Sequence, residues 1–303
     1  MTMNADALAI GIDLGGTRIK GVLVDRQGQV LHQSYVPTND DGGEGWKEAV
    51  QKTFGELITK VDGREFSLGL SAPGIPDADN TCIRFMPGRL EGLEGFDWGG
   101  HLGHPCKVVN DAIAAMAAEA RFGKAVGVKH AAMLTLGTGV GGALLIDGRI
   151  YQGAFQKAGH LGHITIDHGG EQDITGMPGS LEDAIGNCTI RQRSQGSFAS
   201  THELLEACRQ GQYEAKEIWL SSVRKLAVAI ASITNVVSPE LVVIGGGITE
   251  AGEDLFKPLQ EYLAKFEWRA GGNGVRIEKA AFGDMAGAIG AAGFALMESE
   301  RKH

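Results

Sequence analysis

Residues 7–25, ALAIGIDLGGTRIKGVLVD, decide the fold: ALAIGID and TRIKGVLVD each read as an apolar strand, and Gly15-Gly16 breaks the chain between them. Arg26-Gln27-Gly28 makes a second break, and QVLHQSYV reads as a third strand, so three antiparallel strands open the chain. The same grammar of apolar strand, glycine turn, apolar strand, Asp and turn returns without gaps 122 residues later. Leu14, Gly15, Leu23 and Asp25 are matched by Leu136, Gly137, Leu145 and Asp147, while Val22 and Val24 are answered by Leu144 and Ile146. A duplicated domain is the economical reading.

Between the two openings, Trp46, Val50, Phe54, Leu57 and Val61 fall at helical spacing and predict a helix over 46–61. FSLGLSAPG reads as a strand, and CKVVN as another that feeds DAIAAMAAEARFG, with Asp111 at the N-cap and Gly123 as the stop. In the second half, Trp219, Val223, Leu226, Ile230, Ile233 and Val237 form one stripe on a long helix that must end before Pro239. LVVIGGGIT follows as an apolar strand running into three glycines. A small, apolar last helix is expected over 286–297, with the tail ESERKH frayed. Strands alternating with helices make this an α/β protein.

The chain has 303 residues, room for about two domains of roughly 150 residues each. Its 28 Lys and Arg against 37 Asp and Glu give a net charge of −9 without any basic run, so nucleic acid is not an expected partner. The four cysteines show no CxxC spacing, which fits a reducing cytoplasm. MTMNADALAI lacks the basic and apolar regions of a leader, and no run of 18 or more apolar residues follows, so neither export nor membrane spanning is expected. Glycine, at 46 residues, is about twice its usual ~7 % share and is clustered.

Gly15-Gly16-Thr17 and Gly137-Thr138-Gly139-Val140-Gly141 each lie between two predicted strands, where they are either plain hairpin turns or backbone laid against phosphate oxygens. Neither has the Walker or the Rossmann pattern. Their matching positions in two copies favour a phosphate chain held between facing copies, and Gly245-Gly246-Gly247 offers a third surface at a strand's carboxyl end. Asn110-Asp111 is by default a helix cap. Beside phosphate loops, Asp111 gains a second use, because phosphoryl transfer to a hydroxyl needs one proton acceptor, Mg²⁺ for charge, and donors around the phosphates.

IDLGGTRIK, LSAPGI, VVNDA, LGTGVGG, GHLGH and VVIGGGI, in that order from about Ile10 to Gly293, resemble the ROK family of sugar kinases and their repressor relatives. The resemblance implies a two-lobed actin-like (ribonuclease H-like) ATPase fold, with duplicated βββαβαβα-type domains and a cleft between the lobes. The N-terminal lobe would be 1–121 completed by the C-terminal helix 286–303, and the C-terminal lobe 122–285. ATP and Mg²⁺ are implied, with Asp13 near the metal-bound phosphates. Gly15, Gly16, Thr17, Lys20, Gly137, Thr138, Gly139 and Gly141 would surround the phosphates, and Gly245 and Gly246 would lie beside the adenosine. Asp111 would be the general base, with Asn110 and Gly74 at the sugar. Repressor relatives carry a DNA-binding domain in front, whereas only a few residues precede the first strand here, which with the acidic charge favours a kinase. A catalytically silent sugar or nucleotide sensor of the same fold is the alternative. Relatives are commonly homodimers.

The chain departs from the family pattern in its sugar region, where ExGH is followed by CxCGxxGCxE. The resemblance implies that the first Glu, the His and the last Glu hold sugar hydroxyls; His163 and Glu182 are retained, but the first Glu is His160 and the three cysteine positions are Asp173, Thr175 and Ser180. A carboxylate and two hydroxyls do not rebuild a thiolate zinc site, so structural zinc is not expected. A site from His160, His163 and His168 is the other possibility, and plain hydrogen bonding within a glycine-rich loop a third. Arg89 stands where the family has a sugar-facing Asn. It points either to solvent or inward to the sugar, where as a sugar-binding residue its fork suits the carboxylate of an acidic sugar or a phosphate. His160, found also in some N-acetylmannosamine kinases of the family, favours an acylated amino sugar over glucose.

Overall fold

The computed structural model describes residues 7–38 and 43–301. In chain order the first unit contains β1 (Leu8–Leu14), β2 (Arg18–Asp25), β3 (Val30–Pro37), α1 (Gly45–Ile58), β4 (Phe66–Ala72), the short pair β5 (Ile75–Pro76) and β6 (Ile83–Phe85), α2 (Trp98–Leu102), β7 (Cys106–Asn110) and α3 (Asp111–Phe122). Its five-stranded sheet has the order β3-β2-β1-β4-β7, antiparallel among the first three strands and parallel from β1 onward. The second unit contains β8 (Ala131–Leu136), β9 (Val140–Ile146), the first residue of β10 (Arg149–Tyr151), α4 (Leu181–Ile185), α5 (Ile190–Arg193), α6 (Thr201–Arg209), α7 (Tyr213–Val237), β11 (Leu241–Gly245), α8 (Glu253–Phe266) and β12 (Arg276–Lys279). Its sheet runs β10-β9-β8-β11-β12. After it, α9 (Ala286–Glu300) belongs to the first unit, as do all residues from Ala281 onward, those up to Gly127, and 150–158.

Strand periodicity sorts the first sheet into two faces. Leu8, Ile10, Ile12 and Leu14 of β1 enter a core with Trp46, Val50, Phe54 and Leu57 of α1. The alternate residue Ala9, with Val22 and Val24 of β2, packs against Ala288, Ile289, Ala292 and Leu296 of α9. Asp13, Lys20 and Ser71 have the same parity as that second set, so they share the α9 face. In the second unit the Trp219 stripe of α7 is buried in a core with β8 and β11. Among the described residues α7 alone is long and apolar enough to cross a membrane by length and composition, and that apolarity is accounted for by this core.

The duplication is visible as one strand order in two sheets, with a one-residue difference in the repeated turn. Leu14 pairs with Ile19, whereas Leu136 pairs with Val140, so the second glycine turn is tighter. Other expectations need correction. The cap of α3 is Asn110, whose side chain accepts the Ala112 N–H at 2.9 Å, and Asp111 is the first helical residue. The helix predicted to reach Val61 ends at Ile58. The supposedly frayed tail is helical through Glu300, whose carboxylate pairs with Arg26 at 3.1 Å and Arg121 at 2.8 Å; Lys302 and His303 lie outside the described residues.

Backbone meets backbone where α9 crosses the sheet. A methyl group on Gly11 would stand 1.9 Å from the Ala288 carbonyl oxygen, one on Gly69 2.0 Å from that of Ala291, and one on Gly290 1.7 Å from that of Ala114 in α3. Deeper in the unit, the buried carboxylate of Glu119 on α3 accepts the N–H of Lys124 at 2.8 Å and that of Ala281 at 2.6 Å. One side chain thus anchors both the segment where the chain leaves the first unit and the segment where it returns. Gly290→Ala is expected to lower unfolding free energy by about 1–3 kcal/mol or more through overpacking. Gly55→Ala, on the exposed side of α1 with open space around it, should raise it by roughly 0.5–1 kcal/mol. Urea unfolding of both variants checks the contrast.

Candidate active site

Asp13 is the last but one residue of β1, on the face that α9 covers. Its Oδ1 accepts a hydrogen bond from the Ser71 hydroxyl at 3.1 Å, and Lys20 is its cross-strand neighbour on β2. A methyl on Gly287, in the first turn of α9, would lie 2.5 Å from the Asp13 carboxyl carbon, so only a residue without a side chain lets the helix start here. Burial pushes the carboxyl up to about 6, aided by the negative charges of Asp111 and Asp284 and opposed by Lys20 and the Ser71 bond. Lys20 itself is held by Asp284, whose carboxylate lies 3.4 Å from Nζ. Ser71, Asp284 and Gly287 were not singled out by the sequence reading. A glycine at the start of an alanine-rich helix was the one available signal.

The turn after β1 is fixed from below, where the Thr38 hydroxyl donates to the Gly15 carbonyl at 2.6 Å and the Thr38 N–H to that of Thr17 at 3.2 Å. Over the turn lies Arg89: a methyl on Gly16 would stand 1.8 Å from its Nη2. The guanidinium therefore lies against the glycine turn, while Arg89 as a whole stays exposed. At the end of β7, the Asn110 amide donates to the Gly74 carbonyl at 3.0 Å while its oxygen caps α3, so one donor and one acceptor are already engaged. Gly74 has φ of +105° and is wedged against the Phe85 carbonyl. Asp111 is exposed at the start of α3, its Oδ1 also accepting the Ala112 N–H at 2.9 Å.

In the second unit the β8–β9 turn is tied to the segment after α4, since Gly137 and Thr138 accept the N–H groups of Asn187 at 3.0 Å and Cys188 at 2.8 Å. Glu182 lies over this turn. Its Oε2 accepts the Val140 N–H at 2.9 Å and would stand 2.2 Å from a methyl on Gly139, so one oxygen of this expected sugar ligand braces the glycine loop. Gly141 lies partly buried just inside β9. Gly245 ends β11, and Gly246 follows at φ +87°, where a side chain would collide with Leu136 at the end of β8. His160 precedes a single turn of 3₁₀ helix that ends at His163.

The loop expected to lack zinc is organised by Asp173. This carboxylate accepts from the Thr175 N–H, the Thr175 hydroxyl and the Met177 N–H, and meets His163 Nδ1 at 2.9 Å. Ser180, at another of the cysteine positions, caps α4 through the Asp183 N–H. His168 is exposed, and among the described residues no group of three or more His, Cys, Asp or Glu is placed to hold a metal ion.

The sequence profile of the ROK family matches residues 9–298. The glucokinase of Thermotoga maritima is 32 % identical over 285 residues, spanning 85 % of this chain and 87 % of that protein. A ROK hexokinase from Thermus thermophilus has a crystal structure that superposes with a TM-score of 0.86 at 30 % identity, covering 97 % of this chain and 99 % of the other. A ROK family glucokinase from Streptomyces griseus, crystallised with glucose and AMPPNP, gives 0.77 at 27 % identity, covering 96 % and 99 %.

Two outcomes follow from the site's electrostatics. The raised carboxyl of Asp13 means that the folded state holds this proton more tightly than the unfolded chain, so ionising it costs stability as the pH climbs from about 4 to above 6. Asp13→Asn should accordingly raise the melting temperature at pH 7.5 and leave it nearly unchanged at pH 4, as read by thermal unfolding at both values. Metal analysis of tag-free protein should return no chelation-resistant zinc, and one bound equivalent would mean that the histidines have rebuilt a site.

Proposed function

The chain belongs to the ROK family, and on that premise we propose that it transfers the γ-phosphoryl group of ATP to a hydroxyl of a hexose or an acylated amino sugar. What supports this most is the pair of carboxylates Asp13 and Asp111, near enough for the charge of Asp111 to raise the pKa of Asp13, yet differently housed. Asp13 is enclosed beside a lysine and under a helix start; Asp111 is exposed at a strand-to-helix junction, where an acceptor hydroxyl can reach it. The assignment is therefore Asp111 as general base, taking the hydroxyl proton as the oxygen attacks phosphorus.

Asp13 would hold Mg²⁺ carried with ATP, a hard cation that takes oxygen ligands and would neutralise phosphate charge there. The donor set fits, since a carboxylate whose charged form is disfavoured by burial is relieved by a nearby cation. Gly15, Gly16, Thr17 and Lys20 in the first unit, and Gly137, Thr138, Gly139 and Gly141 in the second, are assigned to the phosphates; Gly245 and Gly246 are assigned to the adenosine. Arg89, lying on Gly16, adds a fixed positive charge to the phosphate turn and is a poor candidate for a hydroxyl ligand. Gly74, Asn110, His160, His163 and Glu182 remain for the sugar. Without a carboxylate at 160, this set has fewer acceptors for two neighbouring hydroxyls, which favours an acylated amino sugar over glucose.

ADP release measured across hexoses and acylated amino sugars tests the reading directly. A sensor would bind without release. On the best substrate of that panel, Asp111→Asn should lose about 10²-fold or more in turnover and still bind ATP, because Asn110 keeps α3 capped. Near-wild-type turnover would remove Asp111 from the mechanism.

A further inference from the structure

The side chain of Asp173 is 0 % exposed, and its two oxygens divide their partners. Oδ1 accepts the Thr175 N–H at 2.8 Å, the Thr175 hydroxyl at 2.7 Å and the Met177 N–H at 3.0 Å, which leaves Oδ2 to His163 Nδ1 at 2.9 Å. Burial alone would push this carboxyl up, but the bonds from Thr175, His163 and Met177 outweigh it and hold the group well below the usual carboxylate range.

An ionised carboxylate offers only lone pairs, so the hydrogen between Oδ2 and Nδ1 belongs to the imidazole. A neutral histidine with its proton on Nδ1 presents a lone pair at Nε2. The His163 side chain is 27 % exposed, and no hydrogen bond from the described residues reaches Nε2. In water the two tautomers interconvert. Here one is selected by an anion whose other oxygen is fixed by three donors. A cation in the place of Asp173 would do the reverse, taking the Nδ1 lone pair and leaving Nε2 as a donor.

We propose that Asp173 is a positioning residue that locks His163 in its Nδ1–H tautomer, so that Nε2 accepts a hydrogen bond from a hydroxyl of the acceptor sugar. The identity of the hydroxyl's bearer rests on the kinase reading above; the tautomer does not. The required substrate feature is a donor at this point, so replacing that one hydroxyl by hydrogen or by a methyl ether removes the interaction.

The test uses the whole protein labelled with ¹⁵N at histidine. Long-range ¹H–¹⁵N spectra are recorded at pH 8, above the ordinary imidazole range, and the His163 ring is assigned by its loss in His163→Gln. The expected pattern is a protonated Nδ1 and a bare Nε2; a proton on Nε2, alone or together with one on Nδ1, overturns the proposal. Asp173→Asn should release the tautomer and raise the KM for sugar about tenfold or more, with the KM for ATP unchanged. A tautomer that persists in this variant also overturns it. Thr175→Val removes a bond to Oδ1 and leaves Oδ2 on His163, so it should loosen the loop without moving the tautomer. An equal effect of both variants on the ring would show that Asp173 acts only through loop order. If no sugar in the panel is phosphorylated, the kinase reading fails while the spectra still decide the tautomer.

Discussion

The first unit is built around a contact that side chains cannot make, the carbonyl groups of α9 resting directly on the backbone of β1 and β4. Gly11 and Gly69 on the sheet are the points where this is possible, and Gly290 performs the same service toward α3. Because the helix lies so low, its first turn ends on the Asp13 carboxylate, with Gly287 as the only spacer. Packing and chemistry are thus one arrangement here. The enclosure that seats α9 is the same enclosure that raises the Asp13 pKa, and the registry of β1 against β2 and β4 sets Lys20 and Ser71 beside it.

Carboxylates do two kinds of work in this protein, and their hydrogen bonds tell them apart. Glu119, Asp173 and Glu182 give oxygens to backbone N–H groups of loops or of a strand's first residue, at 2.6–3.0 Å, and serve to hold turns and irregular chain in place. A buried carboxylate is costly unless its lone pairs are filled, and loops have donors to spare. Asp13 takes no backbone N–H among the described residues; its partners are the Ser71 hydroxyl and the charges around it. That difference separates an acid that organises a segment from one whose ionisation is set by the charges around it.

The sheets, the long helix and the α3 junction were legible in the sequence because each has a strong local period or a cap beside it. Asn110 and Asp111 are adjacent and both able to cap, so the sequence located the junction but misjudged which of them caps it; only the Ala112 N–H decides. Helices α2, α4 to α6 and α8 were not read, since three of them are only four or five residues long and the others begin in polar surroundings whose partners are distant in sequence. Arg89 was recognised as a departure from the family, yet its place over Gly16 depends on the path of the loop between β6 and α2, which no periodicity reports. The consequence of Asp173 was half visible. Loss of three cysteines announced that the loop is held differently, and the four bonds to one carboxylate were beyond the reach of spacing rules.

The helix that closes the first unit is also the last to be made. Sheet strands β1, β2 and β4 leave the ribosome with Ala9, Val22 and Val24 facing the place of a helix that begins at Ala286. The N–H that completes the Glu119 carboxylate belongs to Ala281, 162 positions downstream. At a synthesis rate of roughly 5–20 residues per second, the first unit waits on the order of ten seconds or more with that face uncovered. Its contacts are among the most distant in sequence that the chain makes, which places closure late and makes it slow to search. The first half of this protein cannot mature as an independent domain ahead of the second, and a chain stopped anywhere before Ala286 carries a glycine-lined surface shaped for a helix it never receives.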